Sequence, residues 1–327
     1  MRTVSRVAEM RTACEEARRA GRTVGLVPTM GFFHAGHRSL MHAAREQCDF
    51  VVVTLFVNPT QFGPGEDLAA YPRDPDGDAA VARAEGVDLL FTPPDEEMYP
   101  ESGRTTVHVD GLTARLCGAS RPTHFDGVTT VVAKLFAIAG PCRAYFGRKD
   151  AQQLAVVKRM ATDLNLPVTV IGCPLVREAD GVALSSRNAY LGAEEREAAT
   201  ALSRALRQVA AEIVAGERDA AVVRRIAIDT IASVPILTLE YVEVVDATSL
   251  EPRARLAGTV LVALAATVGR TRLIDNATFL FERGVAGGAD ESAAPGTDVI
   301  ADLGVTASRP ESARRESARA DARPGDS

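Results

Sequence analysis

Between Val24 and Leu40 the chain reads VGLVPTMGFFHAGHRSL, and no other stretch constrains the fold as strongly. An apolar run, Val24-Gly25-Leu26-Val27, ends at Pro28. A turn rich in glycine and histidine follows before helical spacing resumes over Arg38-Ser39-Leu40-Met41-His42-Ala43-Ala44. That order predicts strand, tight turn, helix. It puts His34 and His37 at the mouth of a helix, where unpaired backbone N–H groups and the positive end of the dipole favour an anion. Three residues apart in a first turn, the two imidazoles lie on one side of the helix. Gly31 and Gly36 fit the same picture, because a residue without Cβ lets the main chain bend sharply and lets a flat or anionic ligand approach closely. The expected ligand is a nucleoside triphosphate. The competing use of such a pair, half of a metal site, needs a third ligand at suitable spacing. His42, His108 and His124 offer none, and there is no HExxH.

The segments around this stretch alternate. Ser5 to Ala20 has helical spacing and stops at Gly21. Asp49 to Val57 is a continuous apolar run, as in a parallel strand covered on both faces. It closes on the loop Asn58-Pro59-Thr60-Gln61-Phe62-Gly63-Pro64-Gly65, at a strand's C-terminal end, where open α/β sheets place ligands. Helices are expected over Asp74–Ala84, Gly127–Ala139 and Gln152–Leu164, and strands over Val87–Thr92, Thr105–Val109, Ala144–Gly147 and Val168–Cys173. Such alternation calls for a doubly wound parallel sheet with right-handed crossovers.

From Ala193 the texture changes to an Ala/Glu/Arg-rich helical stretch broken near Gly216, then strands expected over Thr238–Val245, Thr259–Leu264 and Thr271–Leu273. The division expected is a nucleotide-binding α/β domain over 1–190, a smaller α+β domain over 191–283, and a tail over 284–327. The tail is Ala, Gly, Ser, Asp, Arg and Pro, with too little apolar surface to offset chain entropy, and is expected to be disordered. At 327 residues, two domains are the natural prior. A net charge of -6 argues against nucleic-acid binding by broad phosphate neutralisation, so any anion must be held locally. Five scattered cysteines without CxxC suit reduced thiols rather than a disulfide framework. No signal-peptide core and no uninterrupted apolar span of about 18 residues occurs, so a cytoplasmic protein with no membrane partner is expected.

Six separated segments then agree with one another: PTMGFFHAGH, FVNPTQF, YPRD, RPTHFDGV, FGRKDAQQ and VREADGVALSSRN, in this order. Together they resemble the pantothenate synthetase family, the pantoate:β-alanine ligases, over roughly residues 1 to 280. The resemblance implies membership of the HxGH nucleotidyltransferase superfamily, related to class I aminoacyl-tRNA synthetases, with a Rossmann-like domain, a C-terminal lid and a homodimer. It implies ATP, pantoate and β-alanine as substrates, with Mg²⁺. Pantoate's carboxylate would attack the α-phosphate of ATP to give pantoyl adenylate and pyrophosphate, and the amine of β-alanine would then displace AMP.

By the same resemblance His34, His37, Lys149, Ser185, Ser186 and Arg187 are the catalytic set, with ALSSRN in the position of the superfamily's mobile KMSKS-like loop. Fixed donors aimed at the phosphate oxygens are what such a transition state needs. Met30, Gly36, Gly147, Asp150, Val176 and Leu184 match further ATP-site positions. Gln61 and Gln153 match a glutamine pair that grips pantoate's hydroxyls, each able to donate and accept, and Asn58, Arg121 and His124 match other pocket residues. Asp76 or Asp78 in YPRDPDGDAA is expected near the Mg²⁺-bound phosphates. The chain departs from the family pattern at Arg148, Ala151 and Leu184, which motivates one alternative, a paralogous ligase for another hydroxy acid and amine. An alternative of another class is a nucleotide-binding regulator without catalysis.

Overall fold

The computed structural model describes residues 1–101, 103–281, 299–301 and 305–306. The first half alternates β1 (Arg2–Val4), α1 (Val7–Arg19), β2 (Val24–Thr29), α2 (Ala35–Gln47), β3 (Phe50–Leu55), α3 (Pro75–Ala84) and β4 (Leu89–Phe91). Two four-residue helices follow, α4 (Asp95–Met98) and α5 (Cys117–Ser120), and then α6 (His124–Ala139), β5 (Cys142–Gly147), α7 (Ala151–Asp163) and β6 (Val168–Cys173). The six strands pair in parallel in the order β1-β4-β3-β2-β5-β6, the doubly wound sheet the alternation requires. In β3, Phe50 and Val52 pack into one core with α1 and α6, while Val51 and Val53 pack into another with α2. That two-sided burial is why the segment reads as an unbroken apolar run.

Strand order reverses between β2 and β5, and there the ladder is short: β2 meets β5 only at Gly25 and Leu26. Beyond that point β2 continues through Pro28, which has no N–H to give, while it stays paired with β3 as far as Thr29. A crevice therefore opens above the C-terminal ends of β2 and β5, the switch point where this architecture binds ligands.

The second half holds α8 (Ala193–Ala215), α9 (Ala220–Ala232), β7 (Leu237–Asp246), β8 (Gly258–Val268) and β9 (Thr271–Phe281), with short strands β10 (Val299–Ala301) and β11 (Val305–Thr306). They form an antiparallel sheet in the order β11-β10-β9-β8-β7. Along β8, Val260, Val262, Leu264, Ala266 and Val268 join α8 and α9 in one core, while Leu261 and Ala263 turn to the core of the first half. The smaller sheet is thus packed between its own helices and the parallel sheet's domain.

Three segments differ from the sequence expectation. Thr105–Val109 is not a strand: Val107 N–H donates to Thr130 Oγ1 at 3.0 Å and its carbonyl accepts from Thr129 Oγ1, so α6 side chains replace a ladder. β9 runs to Phe281 instead of stopping at Leu273, because the polar pair Asp275-Asn276 lies inside the strand and is buried. Of the tail expected to be disordered, only β10 and β11 are described, and they extend the second sheet; the remainder lies outside the described residues.

Candidate active site

His34 is the N-cap of α2: its backbone is extended and its Nδ1 accepts from Gly36 N–H at 3.1 Å. His37 Nδ1 accepts in turn from His34 N–H at 3.4 Å, and the rings lie 4.1 Å apart. These two bonds assign both imidazoles the tautomer with hydrogen on Nε2. Burial, with the nearby Lys149 charge behind it, pushes His34 down to about 4. Burial, followed by His34 and Lys149, pushes His37 to about 3. Both rings are therefore neutral at physiological pH, each with one N–H left to donate. Gly36 is required here, since a Cβ would lie 2.9 Å from His34 Cε1.

The preceding turn is braced from α3. Asp78 accepts from Phe32 N–H at 2.8 Å and Phe33 N–H at 2.6 Å, one bond to each carboxylate oxygen. Gly31 beside it has φ +92°, open to glycine at no steric cost. Asp78 is spent on the histidine turn, Asp76 is an exposed residue in the first turn of α3, and neither lines the cleft. Among the described residues no group of three or more His, Cys, Asp or Glu could hold a metal.

Two connected cavities occupy the crevice and the space beneath the second sheet. The smaller, about 250 Å³, is lined by Met30, His34, Gly36, His37, Asn58, Gln61, Arg121, His124, Gly147, Lys149, Asp150, Gln153, Val176, Leu184, Ser185, Ser186 and Arg187. Every site residue expected from the sequence except the two aspartates is thus in one cleft. The larger, about 570 Å³, shares Arg121, His124, Lys149, Asp150, Gln153, Ser185 and Arg187 with it and is closed by β7, β8 and β9. Arg148 lines neither, so that departure points away from the cleft, whereas Ala151 lines the larger and Leu184 the smaller.

Within the cleft the roles separate. Asn58 donates to Gly127 O and Gln61 Oε1, both at 3.1 Å, and accepts from Thr60 Oγ1 and Tyr99 OH, so its amide is fully used in fixing the 59–61 turn. Gln61 keeps hydrogen-bonding capacity, its Nε2 meeting only the weak acceptor Met30 Sδ. His124 donates from Nδ1 to Gln61 O at 2.8 Å, which leaves Nε2 an acceptor; burial, then the Arg121 charge, pushes it down to about 4. Gln152 pins Cys117 N, Leu112 O and Arg115 O, while its neighbour Gln153 alone of the two lines the smaller cavity. Ser185 Oγ accepts from Arg187 N–H, capping the turn Ser186–Tyr190.

Sequence reasoning missed three groups. Glu66 and Asp67 pair with Arg121 and Arg187. Arg272 and Glu240 of the second sheet line the larger cavity as a pair, 2.7 Å apart. Asp275 and Asn276 lie inside β9, and the signal was available: an acid and an amide within an apolar strand are buried only if paired.

A family model described as pantoate-beta-alanine ligase matches residues 2–278. The chain belongs to the pantoate–β-alanine ligase family. A pantothenate synthetase from Heliobacterium modesticaldum is 56% identical over 276 residues, 84% of this chain and 98% of the relative. One from Moorella thermoacetica is 55% identical with the same coverage. The crystal structure of pantothenate synthetase from Thermus thermophilus superposes with a TM-score of 0.80 at 48% identity, covering 84% of this chain and 98% of that one. A Francisella tularensis pantoate-beta-alanine ligase complexed with beta-gamma ATP and beta-alanine matches at 31% identity and a TM-score of 0.69, covering 84% and 97%. As a member of this family the chain is a ligase joining pantoate to β-alanine.

Proposed function

We propose that this ligation runs through a pantoyl adenylate formed in the smaller cavity, with the residues assigned as follows. The observation that carries this reading is convergence: His34 and His37 from α2, Lys149 from the turn after β5, and Ser185, Ser186 and Arg187 from the loop after β6 line one cleft with Gln61 and Gln153. A carboxylate attacking a triphosphate must overcome like-charge repulsion, so fixed donors at the phosphate oxygens lower the barrier most. The neutral histidines supply Nε2–H donors that need no protonation, and Lys149 supplies a point charge. Ser185, Ser186 and Arg187 hold the β- and γ-phosphates. Gly147, Asp150, Val176, Leu184 and Met30 surround the nucleoside, with Gly36 giving close approach.

In the first step a pantoate oxygen bonds to the α-phosphorus as the bond to pyrophosphate breaks. In the second, β-alanine's nitrogen bonds to the acyl carbon, AMP leaves with the C–O electron pair, and the nitrogen gives up a proton. Gln61 and Gln153 pair with pantoate's hydroxyls, Arg121 faces its carboxylate, and His124 Nε2 is an acceptor beside them. Mg²⁺ would accompany ATP as the counter-ion of its phosphates, held mostly by phosphate oxygens and water. Residues 191–281 act as the cover over this site, and a homodimer in the cytoplasm is proposed with them; sedimentation of the purified protein checks the dimer.

Pantoate-dependent exchange of labelled pyrophosphate into ATP without β-alanine tests the intermediate. Mass identification of pantothenate and AMP after all substrates are mixed tests the whole reaction. Folded protein that makes pantothenate but shows no exchange under any condition overturns the adenylate.

A further inference from the structure

Asp275 and Asn276 are consecutive in β9, so their side chains leave opposite faces of the sheet, and both are buried, at 2% and 3% exposure. Asn276 Nδ2 spends both hydrogens on main chain of the catalytic turn, donating to Lys149 O at 2.8 Å and Arg148 O at 3.1 Å. Carbonyls only accept, so the amide orientation is fixed and its Oδ1 is left buried without a hydrogen-bond partner. Asp275 grips Arg177 through two bonds, Nη1–Oδ2 at 2.7 Å and Nη2–Oδ1 at 2.9 Å. Arg177 also donates to Gly181 O, closing the hairpin whose return strand runs into Leu184, Ser185 and Ser186. One dipeptide of the second sheet therefore holds two segments of the first half that carry cleft residues.

We infer that Asn276 is a positioning residue for the adenylation step: it sets where Lys149 stands, while Asp275, through Arg177, sets the loop leading to Ser185. Asn276 lines the larger cavity, so its two donated bonds fix the catalytic turn from the wall of the site itself. The three-residue turn Arg148–Asp150 joins β5 directly to α7, and the two bonds donated by Asn276 hold its carbonyls from the second sheet. Among the described residues the one ion pair of Lys149 Nζ is a long one, to Asp150 Oδ1 at 3.7 Å. Displacement of a catalytic group by about 1 Å costs on the order of 10²-fold in rate.

The inference rests on the role proposed above for Lys149, and the test separates the two. Steady-state pyrophosphate exchange is measured for the wild type, Asn276→Asp, Lys149→Ala and the double variant, with the enzyme concentration and reaction time raised until slow variants are read. Asn276→Asp keeps the shape but sets a carboxylate against two carbonyl oxygens. The expected result is a loss of about 10²-fold in kcat, KM for ATP and pantoate within about threefold, and less than about twofold further loss in the Lys149→Ala background. If Asn276→Asp fails to fold, Asn276→Ser and Asn276→Ala replace it: serine keeps one donor and must be faster than alanine at equal Tm. Wild-type rates in the Asn276 variants, or an equal loss with and without Lys149, overturn the inference. Wild-type rates in Lys149→Ala overturn the role of Lys149 instead.

Discussion

Arg187 and Asp67, 120 residues apart in sequence, face each other through two hydrogen bonds of 2.8 Å, from Nε and Nη2 to the two carboxylate oxygens. Next to Asp67, Glu66 holds Arg121 in the same bidentate way, with Nε–Oε1 at 2.7 Å. The loop after Gly65 thus ties down two cations that line the cleft. Burial works against ionisation of Asp67, but its bonds to Arg187 outweigh that and hold the carboxyl below its usual range. Tyr190 OH donates to Ala70 O at 2.8 Å, joining the same loop to the same turn.

If Arg187 holds ATP phosphates as proposed, Asp67 competes with them for Nε and Nη2, and Asp67→Asn removes that competitor. ATP binding measured by calorimetry is expected to tighten roughly fivefold, the scale of about 1 kcal/mol for a partly exposed ion pair. Weaker ATP binding in Asp67→Asn would show that the carboxylate orients Arg187 for the nucleotide.

His34 caps α2 through Nδ1, and the proposed chemistry adds a donation through Nε2; one substitution separates the two. Asparagine is a good N-cap but cannot reach into the cleft, so His34→Asn retains helix stability while exchange kcat falls by on the order of 10² to 10³. His34→Ala loses the cap as well, and its unfolding free energy falls by a further ~1 kcal/mol. Equal stability of the two variants, or wild-type turnover in His34→Asn, would contradict the assignment.

The three depressed histidines make stability depend on pH. Unfolded, each titrates near 6.5; folded, His34 and His124 titrate near 4 and His37 near 3. Between those values the unfolded chain binds more protons, so stability is complete above 6.5 and declines as pH falls toward 4. His108, raised by its hydrogen bond to Asp126, runs the opposite way but is solvent-screened. The urea midpoint should hold steady from pH 8 to 7 and fall from about 6.5 downward. A midpoint unchanged to pH 5 would place these rings in water.

How much of this could be read from the chain depended on whether the signal was local. β3 and the HAGH turn were legible because burial on two faces and a capped helix start leave periodic, contiguous marks in sequence. The cleft residues were legible only because six segments agreed, since Lys149 or Gln61 alone has no distinguishing pattern. β1 was not legible, being three residues whose partners in β4 are 87 residues on, as Arg2 with Leu89. β9 was cut short at its buried polar pair, whose partners Arg177 and Lys149 come from the other half of the chain. Glu66 and Asp67 looked like solvated loop charges for the same reason.

The same limit applies to Asp78, whose acidic neighbourhood suggests a metal ligand while its two oxygens are engaged by Phe32 and Phe33 N–H. Asp78→Asn is the decisive variant. One acceptor is kept, but the amide nitrogen faces a backbone N–H, leaving two donors opposed in a buried site. The histidine turn loosens, and exchange kcat is expected to fall by about tenfold to a hundredfold. If Asp78 only braces the turn, the Mg²⁺ concentration for half-maximal rate stays where it is in the wild type and excess Mg²⁺ restores nothing. If the carboxylate met the metal, that concentration would rise and high Mg²⁺ would recover the rate. A titration of exchange rate against Mg²⁺ in both proteins distinguishes the two, with circular dichroism confirming that the variant is folded.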